Sequence, residues 1–166
     1  MPRVVLIGAP GSGKTSVGKA LAKSLGLPFV DSDLMVQERT GKSISNIFMD
    51  QGEEVFREFE FEALISALLT PLSVLSLGGG APITERAQNA LLESGVTIVF
   101  LDVSLSVAAP RVGFNRDRPL LLGNPRAQWQ ALYEVRRPIY EKLAMVTIKV
   151  DSLRINEIVL AIKEAI

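Results

Sequence analysis

The chain has 166 residues and carries 18 Lys and Arg against 18 Asp and Glu, so its formal net charge is zero. This balance gives no basic footprint for nucleic acid or for an anionic membrane surface. Cysteine and histidine are both absent, which excludes a disulfide framework and a Cys-based zinc site and removes the commonest general base at neutral pH. Any catalysis must therefore use carboxylates, Lys, Arg, hydroxyls and backbone N–H groups.

The length predicts a single domain over residues 1–166. No apolar run reaches the roughly 20 residues that a membrane-spanning helix needs, and the apolar part of the first residues is too short for a signal peptide. We therefore expect a cytoplasmic protein, acting as a monomer.

Short apolar segments alternate with segments of helical periodicity, which predicts an α/β fold with a parallel sheet covered on both faces. The first helix is predicted to end at Gly26, and residues 33–69 are predicted to be helical in pieces, with breaks near Gly41 and Gly52. The predicted strands cover residues 4–7, 29–30, 74–77, 97–101 and 146–150. The later predicted helices cover residues 84–93, 104–112, 126–143 and 156–166.

Residues 8–15, Gly-Ala-Pro-Gly-Ser-Gly-Lys-Thr, fit the phosphate-binding pattern G-x-x-x-x-G-K-[ST] between a predicted strand and a predicted helix. Glycines leave room for phosphate oxygens, and successive N–H groups at a helix N-terminus form an anion-binding nest. Lys14 would place a cation on the β and γ phosphates, and the Thr15 hydroxyl is placed to bind Mg²⁺. The strand–loop–helix context disfavours the alternative, a glycine-rich turn that binds nothing. The predicted nucleotide-binding residues of this loop are Gly11, Ser12, Gly13, Lys14, Thr15 and Ser16.

Two carboxylates, Asp31 and Asp33, follow the second predicted strand. Ligands of open α/β sheets bind at the carboxyl ends of strands, and residues two apart project to the same side of an extended segment. Both carboxylates are therefore predicted to face the phosphate loop, although the spacing equally allows Asp33 merely to cap the next helix. The end of the third strand, residues 73–80, contains no acid where many P-loop enzymes place a magnesium-binding Asp, so Asp31 is the predicted support for Mg²⁺.

Two further motifs indicate a second ligand beside the nucleotide. Arg57 and Glu60 share a helix face, either as an exposed salt bridge or with Glu60 orienting Arg57 toward an anionic substrate. Three consecutive glycines, residues 78–80, predict a bare backbone surface against which a ligand lies.

An arginine-rich segment, residues 111–126, contains Arg118 and is followed by Arg136 and Arg137. An arginine in a closing loop can cover the phosphates and neutralise developing charge, whereas the alternative is a basic surface loop. Successive residues of a helix lie about 100° apart, so at most one of Arg136 and Arg137 is predicted to face the cleft.

Together these motifs make the chain resemble the shikimate kinase family over essentially its whole length. The phosphate loop is generic, but the combination of motifs is specific. The combination comprises D-S-D at 31–33, G-K-S-I at 41–44, I-F at 47–48, G-E at 52–53, F-R-E-F-E at 56–60, G-G-G at 78–80, R-P-L-L at 118–121 and R-R-P-I-Y at 136–140.

The resemblance implies a P-loop NTPase fold like that of the nucleoside monophosphate kinases, with a five-stranded parallel sheet flanked by helices. A helical substrate-binding region would cover about residues 32–62 and a lid about residues 112–125. The implied reaction transfers the γ-phosphoryl group of ATP to the 3-hydroxyl of shikimate, with Mg²⁺ as a cofactor.

The resemblance also implies the roles of individual residues. Arg57 and Arg136 would hold the carboxylate of shikimate, and Asp33 would bind ring hydroxyls, including the attacking one. The remaining implied contacts are the N–H groups of Gly79 and Gly80 to the substrate, Lys14 and Arg118 to the transferring group, Thr15 to Mg²⁺ and Arg111 to the adenine. Where the family often has a proline beside the adenine, this chain has Glu157.

Two other functions stay open at this point. A related small kinase, such as a gluconate kinase or a nucleoside monophosphate kinase, would share the fold, and a sugar acid would also explain Arg57 and Arg136. A non-catalytic ATP-binding regulator would keep the phosphate loop but could dispense with Asp33, Arg57, Arg118 and Arg136, which are all present.

Overall fold

The structure is a computed structural model that describes residues 1–112 and 124–166. Most of the predicted lid, including Arg118, lies outside the described residues.

A parallel sheet in the order β2-β3-β1-β4-β5 forms the centre of the fold. The central strand β1 is buried along its whole length and lies between β3 and β4. The phosphate loop follows β1 and therefore begins at the middle of the sheet. The strands are β1 (Val4–Ile7), β2 (Phe29–Asp31), β3 (Val74–Ser76), β4 (Thr97–Asp102) and β5 (Val146–Lys149). The predicted α/β class and the five-stranded parallel sheet are confirmed.

Seven helices connect and cover the strands in the described part of the chain. Local signals set several of their ends: Gly26 and Gly41 adopt left-handed conformations at the ends of the first two helices, and the Thr84 hydroxyl accepts a hydrogen bond from the Ala87 N–H. The helices are α1 (Lys14–Leu25), α2 (Ser32–Thr40), α3 (Ile44–Leu68), α4 (Glu85–Ser94), α5 (Leu105–Val112), α6 (Pro125–Leu143) and α7 (Ile155–Ala165).

Helix α3 is interrupted at Gly52, whose φ of 84° and ψ of 173° are not helical. The break predicted near Gly52 is therefore confirmed as a kink between two helical pieces. The second piece carries Arg57 and Glu60 back toward the sheet.

The hydrophobic core has two parts. The main cluster surrounds the sheet, with α1 packing against α7 and α4 contacting both α3 and α6. A smaller cluster of Val36, Ile47, Phe56 and Ala63 joins α2 to α3. The substrate-binding region predicted from the sequence thus has apolar packing of its own, which holds α2 and α3 in a fixed relation. Across the described ranges, every helix is too short or too polar to cross a lipid bilayer.

Candidate active site

A cavity of about 450 Å³ opens where β1, β2 and β3 end. The phosphate loop, Asp31 and Asp33 line it, together with Gly78 and Gly79. The two carboxylates and the loop are therefore brought together as predicted. Arg111 and the apolar residues Leu153, Ile155 and Ile158 complete the wall.

The phosphate loop begins with a β-turn in which the Ser12 N–H donates to the Ala9 carbonyl at 3.2 Å. Gly11 has a φ of 84°, and a Cβ there would meet the Ala108 carbonyl at 2.9 Å, so both its conformation and its surroundings require glycine. Lys14 follows the loop and donates from Nζ to the carbonyls of Gly8 at 2.8 Å and Ala9 at 3.0 Å. The ammonium is thus held against the loop, where bound phosphates would share it with these carbonyls.

Asp31 uses its two oxygens for different partners. Oδ2 accepts a hydrogen bond from Thr15 Oγ1 at 3.1 Å, while Oδ1 accepts from the N–H groups of Asp33 at 2.9 Å and Leu34 at 3.3 Å. Asp31 is therefore the N-cap of α2, and the reading in which Asp33 caps this helix is wrong. The assumption of an extended segment also fails after Asp31, because the chain turns into α2 at Ser32, and Asp33 reaches the cavity from the first helical turn.

Thr15 and Asp31 offer two oxygen donors 3.1 Å apart beside the phosphate loop. Oxygen donors of this kind suit Mg²⁺, which keeps several waters and takes its other ligands from substrate phosphates. Among the described residues, no group of three or more acidic, His or Cys side chains could hold a metal by itself. The donor set therefore fits a magnesium ion shared with a nucleotide.

The three glycines after β3 make room for side chains. A Cβ at Gly78 would collide with the Asp33 carboxylate, and one at Gly80 would collide with the Arg57 guanidinium, whose Cζ would lie only 2.8 Å away. A Cβ at Gly79 would meet Pro10 Cδ at 3.1 Å and Arg136 Nη1 at 3.4 Å. None of the three has a left-handed φ, so the need for glycine here is one of space.

Arg57 and Glu60 form an ion pair in which Glu60 is buried and Arg57 is partly buried. Arg57 Nη1 donates to Glu60 Oε1 at 2.7 Å, and the Glu60 side chain is only 5% exposed, so the exposed salt bridge is the wrong reading. Burial raises the pKa of Glu60 and Arg57 opposes this shift, while Asp33 raises the pKa further and Arg136 lowers it. Asp33, Arg136 and Arg57 lie beside three consecutive glycines, and Glu60 is bonded to Arg57, so the four charged groups form one cluster.

The two adjacent arginines of α6 face in different directions. Arg136 is 8% exposed and lies against Gly79, whereas Arg137 pairs with Asp102 at 2.8 Å and with Glu141 at 2.8 Å. The prediction that at most one of them faces the cleft is confirmed.

Two residues of the site were not predicted from the sequence, Tyr140 and Ser32. The Tyr140 hydroxyl donates to the Gly79 carbonyl at 2.6 Å, and Ser32 Oγ accepts from the Gly78 N–H at 3.0 Å. Both hydrogen bonds hold the glycine segment, residues 78–80, through its backbone. Tyr140 lies four residues after Arg136, so shared helix-face spacing was the available signal.

Glu157 is not among the residues that line the cavity. Its carboxylate accepts a hydrogen bond from the Arg154 N–H at 2.6 Å and so closes the first turn of α7. Arg111 lines the cavity and donates from Nη1 to the Gly11 carbonyl at 3.2 Å. Leu153, Ile155 and Ile158 provide the apolar wall of the same cavity.

A parallel sheet with a phosphate loop after its central strand, and with two arginines beside the glycines that follow a neighbouring strand, is the arrangement of a P-loop phosphotransferase. The family model described as shikimate kinase matches residues 10–166. The chain belongs to the shikimate kinase family and is a kinase.

Individual relatives agree with this assignment. A shikimate kinase of Thermobifida fusca is 48% identical over 147 residues, which cover 89% of this chain and 84% of that protein. A solved shikimate kinase from Acinetobacter baumannii in complex with shikimate has a TM-score of 0.94 at 32% identity, covering 99% of this chain and 92% of that one.

The alternative kinase class is more distant. A gluconokinase from Sinorhizobium meliloti covers 99% of this chain and 89% of its own, with a TM-score of 0.66 at 24% identity. That likeness shows a shared fold alone.

Proposed function

We propose that the protein transfers the γ-phosphoryl group of ATP to the 3-hydroxyl of shikimate, giving shikimate 3-phosphate and ADP. One observation carries this proposal: Arg57 and Arg136 lie against the glycine segment that also borders the phosphate-loop cavity. An acceptor whose carboxylate is held by these two cations would lie beside the phosphate-loop cavity, with its hydroxyls free to approach the γ-phosphate. The complex of the Acinetobacter baumannii enzyme with shikimate supports the choice of acceptor.

The nucleotide would bind along the phosphate loop, with N–H groups of residues 11–16 and the Lys14 ammonium on its phosphates. Its base would lie between the Arg111 side chain and the apolar wall of Leu153 and Ile155. Thr15 and Asp31 would hold Mg²⁺, Asp31 through a water, and the ion would neutralise charge on the phosphates.

The acceptor would lie against the glycine segment. Arg57, oriented by Glu60, and Arg136 would grip the carboxylate, since a guanidinium matches a carboxylate with two parallel hydrogen bonds. The N–H groups of Gly79 and Gly80 would complete this pocket. The glycine segment would then hold the ring with its reacting hydroxyl toward Asp33.

In the reaction, the hydroxyl oxygen of the acceptor forms a bond to the γ-phosphorus while the bond from that phosphorus to the bridging oxygen breaks, and ADP leaves. Asp33 accepts a hydrogen bond from the hydroxyl, orients it and takes its proton as transfer proceeds. Lys14 stabilises charge on the transferring group. Arg118 has the same proposed role, on sequence grounds alone.

The experiment is an assay of ADP release with MgATP and a panel of acceptors: shikimate, quinate, gluconate, AMP and CMP. We expect turnover with shikimate to exceed that with the other four compounds by orders of magnitude in kcat/KM. Comparable turnover with gluconate or with a nucleotide would replace the proposed acceptor, and binding of ATP without turnover of any acceptor would favour a regulator.

A further inference from the structure

Trp129, near the start of α6, contacts the phosphate loop directly. Its indole N–H donates to the Pro10 carbonyl at 2.9 Å, and the side chain is only 2% exposed. Seven residues further along the same helix face lies Arg136, which abuts Gly79, and Gly79 in turn lies against Pro10. One buried helix face therefore contacts both the phosphate loop and the glycine segment.

The hydrogen bond from Trp129 is made to the Pro10–Gly11 peptide, and the orientation of this peptide determines the type of the loop's β-turn. Ala9 and Ser12 close this turn, and Pro10 and Gly11 occupy its centre. Proline at the second position and glycine with φ of 84° at the third are the features of a type II turn. Types I and II differ by a flip of the central peptide, so the direction of the Pro10 carbonyl distinguishes them.

Fixing the Pro10 carbonyl also fixes the Gly11 N–H. The Pro10–Gly11 peptide is planar and trans, so its carbonyl and its N–H point in opposite directions. The carbonyl points to Trp129, which packs in the core, and Gly11 itself lines the nucleotide cavity. The N–H of Gly11 is therefore directed away from the core.

The indole is itself held firmly. Its ring stacks on Tyr133 with a centroid distance of 4.8 Å and an interplanar angle of 29°. The donor at Trp129 is thus held by ring packing within α6, which does not depend on the Tyr133 hydroxyl.

We propose that Trp129 is a positioning residue for phosphate binding, whose indole N–H holds the Pro10–Gly11 peptide so that the Gly11 N–H is presented to the nucleotide phosphates. The inference rests on nucleotide binding at the phosphate loop, which is part of the proposed function, but it does not depend on the identity of the acceptor.

The test compares Trp129→Phe with the control Tyr133→Phe. The first change keeps an aromatic ring against Tyr133 and removes the N–H, while the second removes a buried hydroxyl one helical turn away and leaves the bond to Pro10. Calorimetric titration with MgADP should show binding weakened about 5- to 10-fold in Trp129→Phe, as for one lost hydrogen bond to a buried carbonyl, and within about twofold of the wild type in Tyr133→Phe. In steady-state assays, KM for ATP should rise in Trp129→Phe, with KM for shikimate unchanged.

A second variant separates the N–H from the shape of the ring. The chain has one tryptophan, so biosynthetic incorporation of benzothienylalanine replaces this indole alone with a ring of similar shape that has sulfur in place of the N–H. It should weaken MgADP binding as Trp129→Phe does, and it decides the matter if Trp129→Phe fails to fold. Unchanged binding in the benzothienylalanine protein, or equal weakening in Tyr133→Phe, would overturn the proposal. Failure of the proposed function would appear separately, as absence of shikimate turnover in the wild type.

Discussion

Arg57 and Arg136 approach the glycine segment from two different helices, which makes their contributions separable by substitution. Arg57→Ala and Arg136→Ala should each raise KM for shikimate about 10- to 100-fold, because each removes a charge-assisted pair worth about 1.5–3 kcal/mol. KM for ATP should change much less. Steady-state kinetics with each substrate varied in turn would measure both effects.

The neighbouring Arg137 supplies the control. It pairs with Asp102 and Glu141, away from the glycine segment, so Arg137→Ala should leave KM for shikimate near the wild-type value. Arg→Lys at position 57 or 136 should recover only part of the affinity, since the planar fork is lost. Normal shikimate binding in both Ala variants would place the carboxylate elsewhere.

Asp31 and Asp33 differ in their contacts, and their substitutions should differ in their response to metal. Asp31 touches Thr15, so Asp31→Asn should raise the Mg²⁺ concentration needed for half-maximal rate, with partial rescue at high metal concentration. Asp33→Asn keeps the shape but loses the charge that orients the acceptor, so kcat should fall sharply without rescue. Titration of rate against Mg²⁺ in both variants is the measurement, and rescue of Asp33→Asn alone would reverse the two roles.

Both tyrosines of the chain, Tyr133 and Tyr140, should resist ionisation in the folded protein. Burial raises the pKa of Tyr140 to about 12, with Arg136 opposing, and burial together with Asp102 raises the pKa of Tyr133 as well. Between the ordinary tyrosine pKa of about 10 and the raised values, the folded state binds more protons than the unfolded state, so the free energy of unfolding falls as pH rises through this window.

A titration of ultraviolet absorbance at 295 nm, with circular dichroism recorded in parallel, would check this expectation. Tyrosinate should appear only together with the loss of secondary structure. Ionisation of either tyrosine near pH 10 in a protein that remains folded would contradict it.

At the scale of elements, the kink in α3 depends on a backbone conformation that only glycine adopts readily. Gly52 has φ of 84° and ψ of 173°, and a Cβ there would meet no atom within 4 Å, so any effect of Gly52→Ala comes from the backbone. We expect a loss of about 1–3 kcal/mol in the free energy of unfolding. Because the kink aims Arg57 at the glycine segment, KM for shikimate should also rise.

Gly95, after α4, is the matched control. Its φ of 66° and ψ of 11° are left-handed helical, and a Cβ there would also meet no atom within 4 Å. Gly95 is not among the residues that line the cavity. Gly95→Ala should destabilise by about 1 kcal/mol, with KM unchanged. Urea unfolding of both variants shows which substitution lowers the free energy of unfolding more. A larger loss of stability in Gly95→Ala would show that the kink at Gly52 carries no special strain.

The elements themselves were largely predictable, because their signals are local. Gly26, Gly41 and Thr84 mark helix ends through their own conformations and hydrogen bonds. The start of α2 was misjudged because Asp31 both ends a strand and caps the helix, and the spacing of Asp31 and Asp33 alone does not reveal this double use.

The arrangement within the site was less predictable, because it depends on contacts between distant parts of the chain. The bond from Tyr140 to Gly79 joins residues 61 positions apart. The glycine segment indicated a bare surface, but only the tertiary structure shows which side chain occupies the space beside each glycine. The roles of the site residues, and of Arg118 outside the described residues, stay predictions.

At the scale of the whole molecule, nucleotide binding should be coupled to folding through Lys14. MgADP at about 100 times its Kd should raise the free energy of unfolding of the wild type by about 2.7 kcal/mol. Lys14→Ala should fold, although the carbonyls of Gly8 and Ala9 lose a donor, and at the same MgADP concentration it should gain far less stability. Turnover should be abolished.

Urea unfolding with and without MgADP, at a fixed Mg²⁺ concentration, measures this coupling. Ser24→Ala offers a control, since Ser24 meets Lys163 at the surface and is remote from the cavity. Wild-type turnover in Lys14→Ala would remove phosphoryl transfer at this loop altogether.

The glycine segment 78–80 also limits how the gene can vary. Every other amino acid carries a Cβ, so no missense change at these three codons is conservative. The added atom would crowd the Asp33 carboxylate at Gly78, Pro10 and Arg136 at Gly79, and the Arg57 guanidinium at Gly80. A randomised library seeking a new acceptor should therefore keep these codons fixed. Diversity is better introduced in α2 and α3 at positions other than Asp33, Arg57 and Glu60, since these helices share a small core cluster of their own.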